Sequence, residues 1–356
     1  MKNKIWLDEI DATLDGAARR YTAERYRFEA RQRLDSAERR FSSRAWSDLA
    51  DMGWLGVSTP EECGGLGLRV ASICLLAEVA GSALVTEPLT SSGVLAPQLI
   101  TRHGSAGQRE ELLPRLLRGE LRAACLLDAG AFRVEGGRIS GSKPGAIDAD
   151  IADCLLVRAN DGLWFVDAQA LEVTRNPFPL LDGRGAASVT LEKASATRLG
   201  VGEPCDTQQA LLLASLATAA DSHGAMTAAF DLTLDYLKTR RQFGAPLGAN
   251  QALQHRAVDM YIALAEGRAV LDQAIDSLQA GAAWAARDVH AAKSLVCESA
   301  RRVTQEAVQL HGGVGVTDEY AVSHYLRRAR VNEQLWGSAE QHFLAFAATT
   351  PPSEHR

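Results

Sequence analysis

No apolar run in this sequence approaches the ~18–20 residues that a membrane-spanning helix needs. The opening stretch, MKNKIWLDEIDATLDG, is too acidic and too polar for a secretory signal, so a cytoplasmic protein without a membrane span is expected. An excess of positive charge is also missing. The formal net charge is −6, which argues against non-specific nucleic-acid binding and leaves room only for local basic pockets. Cysteines are few and scattered. Cys63, Cys74, Cys125, Cys154, Cys205 and Cys297 form no CxxC pair and stand at no zinc spacing with histidine, so reduced packing residues are expected and no metal site.

What is present suffices for two or three domains with real cores: 356 residues, 46% of them hydrophobic and 23% charged. Three textures follow one another. From about residue 17 to 118 charges and alanines recur at helix spacing, and RVASICLLAEVAGSALV reads as a buried helix. Between these helical segments, GWLGVSTPEECGGLGLR carries Pro60 and four glycines and reads as a tightly turning loop. From about 121 to 200 short alternating runs, with Gly136-Gly137 and Asp161-Gly162 between them, predict a small antiparallel β domain. That region has no GxGxxG or GxxxxGK[ST] and no helices between its strands, which speaks against a Rossmann or P-loop nucleotide domain. Beyond about 205 the spacing predicts long helices over 206–239, 249–278, 281–310 and 317–335, a helix bundle. The expected fold class is α+β in three domains, 1–120 helical, 121–203 antiparallel β and 204–356 a C-terminal four-helix bundle.

Two joints between helices hold residues suited to chemistry. In YLKTRRQFGAPLGANQALQHRAVDM (236–260), Arg240 and Arg241 end one helix and Gln251 sits near the start of the next. Two readings stand: cations complementing a helix C-terminus before an ordinary turn, or an arginine fork beside fresh helix N-terminal amides, which suits a phosphate or pyrophosphate. In EAVQLHGGVGVTDEYAVSHYLRRAR (306–330), Gly312, Gly313 and Gly315 exceed the single glycine of a helix cap, so another group must approach the backbone closely. His311 and the His255/Asp259 pair lack partners at metal spacing and read as packing or surface residues. Arg327, Arg328 and Arg330 read as a solvated cationic helix face, with local cations for a CoA group as the alternative.

The ordered set PEECGGLG (60–67), YLKTRRQFGAPL (236–247), QALQHRAVDM (251–260), QLHGGVG (309–315) and RRAR followed by WGSAE (327–330 and 336–340) resembles the acyl-CoA dehydrogenase family over nearly the whole chain. The resemblance implies N-terminal helices, a middle β domain and a C-terminal four-helix bundle. It also implies FAD, an acyl-CoA substrate, an electron-transfer flavoprotein as acceptor, and an α,β-dehydrogenation in which a carboxylate takes the α-proton while the β-hydrogen leaves as hydride. By the same resemblance, Arg240, Gln242, Phe243, Gln251, Gln309, Gly312, Gly313 and Gly315 hold the pyrophosphate and adenosine half of FAD across a subunit boundary.

Two departures stand out. Many members carry the catalytic glutamate immediately before a Gly-Thr or Gly-Ser pair, and here that place, in QLWGSAE, is Trp336. Other members place it on the first long bundle helix, near Ala214-Ser215, and neither of these is an acid. Asp221, two turns on and roughly on the same face, is the candidate base on that helix, or else an acid paired with a neighbouring arginine or polar group. Glu333 and Glu340 flank the break as solvated or paired residues. In the β domain the family's flavin-lining loop is shortened in CLLDAG (125–130), and KPGAIDADIAD (143–153) lacks the aromatic that packs on the flavin in relatives. The ring half of the site is eroded and the pyrophosphate half is complete.

A subunit can keep the residues it lends to a neighbour and lose those of its own pocket. The chain thus resembles the smaller, base-lacking partner in heteromeric bacterial acyl-CoA dehydrogenases, including those for steroid side-chain thioesters, as a heterodimer or α2β2 heterotetramer with a second dehydrogenase-like subunit. A homomeric dehydrogenase using Asp221 and a non-catalytic acyl-CoA- or protein-binding scaffold are the alternatives.

Overall fold

A computed structural model describes residues 8–34, 36–200, 206–242 and 244–349. Seven helices come first: α1 (Glu9–Arg25), α2 (Phe28–Gln32), α3 (Ser36–Arg40), α4 (Ser43–Asp51), α5 (Val70–Ala83), α6 (Ala96–His103) and α7 (Ala106–Leu117). Their starts are encoded locally. Asp8 caps α1 by accepting from the Asp11 amide at 2.9 Å, Ser42 caps α4, and Ser105 and Gln108 form a reciprocal capping box on α7. The chain divides into two compact units, one of Met1–Arg33, Val70–Val85 and Ser215–Arg356, the other of Leu34–Arg69 and Thr86–Ala214.

The second unit contains the two four-stranded sheets. One sheet has the order β1 (Ala123–Leu126), β4 (Cys154–Ala159), β5 (Gly162–Asp167), β8 (Thr197–Arg198), and the other the order β2 (Phe132–Glu135), β3 (Arg138–Ile147), β7 (Gly185–Ser195), β6 (Val173–Pro179). Phe132, Leu155, Val157, Trp164, Val166, Val189 and Leu191 fill the core they share. The β2–β3 hairpin closes on Gly136-Gly137 as the sequence predicts. The β4–β5 hairpin instead closes one residue earlier, on Asn160-Asp161, because Gly162 already pairs with Ala159. One pairing departs from the antiparallel expectation: β1 runs parallel to β4, since a long stretch of chain separates them.

The first unit is helical. Three long helices, α8 (Gln208–Thr239), α9 (Gln251–Gln279) and α10 (Ala285–His311), are followed by the shorter α11 (Val322–Asn332) and α12 (Ala339–Thr349), and α10 packs on α9, α11 and α12. The fourth segment expected over 317–335 is thus a shorter helix, with a second short helix after the break. The α5 and α8 backbones touch. A Cβ on Gly81 would come within 1.9 Å of the Asp221 carbonyl oxygen, and one on Gly224 within 2.0 Å of the Glu78 carbonyl oxygen. Only glycine permits this approach, and it fixes the height of Asp221 against the end of α5.

Candidate functional site

The first joint begins where the Arg240 amide closes the last turn of α8 on the Tyr236 carbonyl at 2.8 Å. Arg241–Gln242 (β9) then pairs with Ala245–Pro246 (β10). The Leu247 amide returns to the Arg240 carbonyl at 2.9 Å, and Asn250 caps α9 by accepting from the Ala252 amide at 2.9 Å, which makes Gln251 the first helical residue. Phe243 lies outside the described residues. At the second joint α10 ends on His311, and Gly312, at φ +62°, enters the left-handed region that favours glycine. A Cβ on Gly315 would meet the Val308 carbonyl oxygen at 2.6 Å and the His311 Cβ at 2.9 Å. Gly312 therefore turns the chain and Gly315 admits close packing, whereas a Cβ on Gly313 would meet nothing within 4 Å.

An aromatic stack ties the joints together. The Tyr236 ring lies on the His311 ring at 4.4 Å, and Tyr320 meets the same imidazole at 5.1 Å. His311 Nδ1–H donates to the Ala307 carbonyl at 2.7 Å, and burial depresses the imidazole pKa, so the ring is neutral. Tyr236 and Tyr320 are the residues that reading the sequence missed. Their positions, four before Arg240 and five after Gly315, carry no motif, and only the pairing of helix ends reveals them. Around the stack Arg240, Gln242, Gln251, Gln309, Gly312 and Gly313 are exposed. Among the described residues, the side chains of Arg240, Gln242, Gln251 and Gln309 have no hydrogen-bond partner. An unpaired guanidinium beside a helix N-terminus suits a pyrophosphate.

A second constellation surrounds the break between α11 and α12. Trp336 adopts φ +58°, a costly conformation for a bulky residue. Its main-chain carbonyl accepts from Ser215 Oγ at 3.4 Å and from His342 Nε2 at 3.0 Å. With Nε2 donating, His342 Nδ1 is left to accept from His290 Nδ1–H at 2.9 Å. Burial pushes the His342 imidazole down to about 4, against the opposing hydrogen bond to Trp336 and with the help of the Lys293 and His290 charges. Ser338 and Gln341 then cap α12 reciprocally.

Asp221 is engaged rather than free. Asn332 Nδ2 donates to its Oδ1 at 2.6 Å, and Arg328 Nε lies 3.6 Å from the same oxygen. Arg328 is only 1% exposed and also donates to the Val85 carbonyl. This overturns the expectation of a solvated Arg327–Arg328–Arg330 face: Arg328 points into the unit, while Arg327 pairs with Asp318 and Arg330 with Glu333. Glu333 is paired, as expected. Lys293, fully buried, donates to the Asn332 carbonyl at 2.5 Å.

In the other unit, the two segments expected to be eroded are bridged by an ion pair between Asp128 and Lys143. Asp148 follows at φ +62°, buried, accepting from Ser91 Oγ. Burial raises its carboxyl to about 7, although the Ser91 hydrogen bond and the Arg184 charge pull the other way. Neither segment offers an aromatic face to a planar ring. Cys63, Cys74, Cys125, Cys154 and Cys297 are free thiols, and Cys205 lies outside the described residues. Among the described residues no group of three His, Cys, Asp or Glu is placed to hold a metal ion, and no helix is long and apolar enough to cross a membrane.

Comparison with known proteins gives these geometries a context. Residues 9–120 match the family signature described as acyl-CoA dehydrogenase, N-terminal domain, and residues 206–349 that of the acyl-CoA dehydrogenase, C-terminal domain. The acyl-CoA dehydrogenase IpdE2 of Mycolicibacterium smegmatis is 33% identical over 82% of this chain and 83% of its own length. Among solved structures, a steroid ACAD, the G363A variant of Tcur3481-Tcur3483, superposes with a TM-score of 0.85 at 30% identity over 96% of this chain and 97% of that one. The ChsE4-ChsE5 complex from Mycobacterium tuberculosis superposes with a TM-score of 0.88 at 25% identity, covering 97% of this chain and 99% of that chain.

Proposed function

The chain belongs to the acyl-CoA dehydrogenase family, and from that premise we propose that it is the base-lacking subunit of an FAD-dependent dehydrogenase assembled from two kinds of chain. The observation that carries this reading is the contact between Ser215 and Trp336. The two places where relatives carry the catalytic glutamate, near Ala214-Ser215 and at Trp336, are neighbours in space, and neither bears a carboxylate. An α-proton has no acceptor there.

The part of the chain that fits FAD is the half it would lend. Arg240 would pair with the pyrophosphate. Gln242, Gln251 and Gln309 would hydrogen-bond the adenosine half, and Gly312, Gly313 and Gly315 would let the cofactor approach the backbone; family resemblance implies Phe243 as a further contact. Bound FAD would supply the acceptor for the β-hydrogen. The Asp128–Lys143 ion pair occupies the segments that line the flavin ring in relatives, which supports a ring bound chiefly by the partner.

The partner would be a second dehydrogenase-like chain carrying the carboxylate, in a heterodimer or α2β2 heterotetramer. Similarity to the ChsE4-ChsE5 complex supports this. Similarity to the steroid ACAD supports a bulky acyl-CoA, a steroid side-chain thioester, as substrate. An electron-transfer flavoprotein is the acceptor that family resemblance implies. The homomeric reading needs Asp221 as base, and the engagement of its carboxylate by Asn332 and Arg328 opposes it.

Co-expression tests the proposal. Flavin and activity should require a second dehydrogenase-like chain, and mutation of the partner's glutamate should abolish turnover. Stoichiometric flavin with turnover by this chain alone would contradict the proposal, and no flavin under either condition would favour a scaffold.

A further inference from the structure

Lys293 and Cys297 stand one turn apart on α10, and Lys293 Nζ lies 3.3 Å from Cys297 Sγ. Both are fully buried. A buried ammonium is ordinarily matched by a carboxylate, yet among the described residues Lys293 makes no ion pair and donates only to this sulfur and to the Asn332 carbonyl at 2.5 Å. Cys297 Sγ in turn has Ser222 Oγ at 3.8 Å and the Asn332 carbonyl at 3.9 Å. An amine and a thiol are thus held in contact at a fully buried place that another protein's thiol cannot reach. This arrangement is independent of the FAD half-site.

We propose that Lys293 and Cys297 form an oxidative cross-link in which one oxygen atom joins Sγ to Nζ. The oxidant is dioxygen, small and apolar enough to reach the pocket through ordinary fluctuations of the packing. The S–H bond, one N–H bond and the O=O bond break, and S–O and O–N bonds form. The second oxygen atom leaves as water with the two hydrogens, and the four electrons taken by dioxygen come from the sulfur and the nitrogen. The bridge fits the observed separation: two bonds angled at a single oxygen span a little less than the present contact, whereas a direct S–N bond would require a larger collapse of one helical turn. Cys297 is too buried for an intermolecular disulfide or for glutathione, so the amine is the partner that intercepts its oxidation. Formation of the bridge would draw Nζ from the Asn332 carbonyl. Because Asn332 also holds Asp221 and Ser222, the bridge would couple the oxidation state of α10 to the break at Trp336.

Tryptic mass mapping of the full-length folded protein, alone or in its native complex, after incubation in air-saturated or dioxygen-pressurised buffer tests this directly. The account predicts a peptide spanning Asp288–Arg301 that is uncleaved at Lys293, heavier by one oxygen and lighter by two hydrogens. A thiol reductant should return it to the unmodified mass, and renewed trypsin digestion should then give the separate peptides Asp288–Lys293 and Ser294–Arg301, whereas Cys297→Ser should yield only cleaved peptides before and after oxidation. Complete cleavage at Lys293 in the wild-type protein, with Cys297 unmodified or carried only as a sulfenic or sulfinic acid, would overturn the proposal. So would a cross-link that lacks the added oxygen. The wild-type measurement needs no variant to fold.

Discussion

Ser215 Oγ donates a hydrogen bond of 3.4 Å to the Trp336 carbonyl, joining the start of one long bundle helix to the turn that follows the last arginine-rich helix. These two positions, separated by most of the C-terminal region, fall at or beside the two places that family resemblance implies for a catalytic carboxylate. Here both are empty of acid, and the surrounding polar groups have been committed to structure.

Asp221 follows from that commitment. Its carboxylate lies against Arg328, which is 1% exposed, so Asp221→Asn should weaken the charge pairing of a buried guanidinium and the hydrogen bond from Asn332, and cost about 1–3 kcal/mol of unfolding free energy. Denaturant unfolding measures this. Turnover of the assembled two-chain enzyme, assayed where the variant is folded, should stay within about threefold of wild type.

Arg240 makes the opposite prediction. It is exposed and has no hydrogen-bond or ion-pair partner among the described residues, so Arg240→Ala should leave stability within about 0.5 kcal/mol of wild type. If it meets the FAD pyrophosphate, its removal should weaken FAD retention by the co-expressed complex about 10- to 100-fold. Flavin released on dilution gives the comparison.

His342 gives a pH dependence. Burial holds its folded pKa at about 4, below the ordinary histidine value, so the unfolded chain takes up the proton first. The stabilisation is complete above the unfolded value and is lost as pH falls from there toward about 4, a decline of order 2 kcal/mol. His290, also depressed by burial, adds to it in the same direction. His342→Gln should flatten the stability–pH curve across this window.

Asp148 gives the reverse sign. Burial raises its folded pKa to about 7, so the folded state favours the protonated acid. Its contribution is greatest below the unfolded carboxylate value and is lost as pH rises through about 7. Asp148→Asn can still accept from Ser91 and tolerates φ +62° better. It should therefore raise stability above pH 7 by about 1–2 kcal/mol, with little gain at pH 4.

The sequence disclosed most readily what depends on local spacing. The glycine cluster at 312–315 and the helix end at Arg240 are each set by a few neighbouring residues, and the structure has both helix ends where the spacing puts them. It disclosed least where distant segments meet. The burial of Arg328 depends on α11 reaching the Val85 carbonyl and on α5 touching α8 through Gly81 and Gly224, so a run that looks like a solvated basic face hides an inward-facing cation. The parallel β1–β4 pair depends likewise on chain that lies between the strands. Trp336 could be read as a lost carboxylate, but its contact with Ser215 could not.

The most direct test is an anaerobic titration of the FAD-loaded two-chain complex with acyl-CoA thioester, read by visible absorbance, with substitutions in one chain at a time. The account predicts undiminished flavin bleaching with Asp221→Asn in this chain and none when the partner's glutamate is replaced. Bleaching that survives loss of the partner's glutamate and disappears with Asp221→Asn would contradict it.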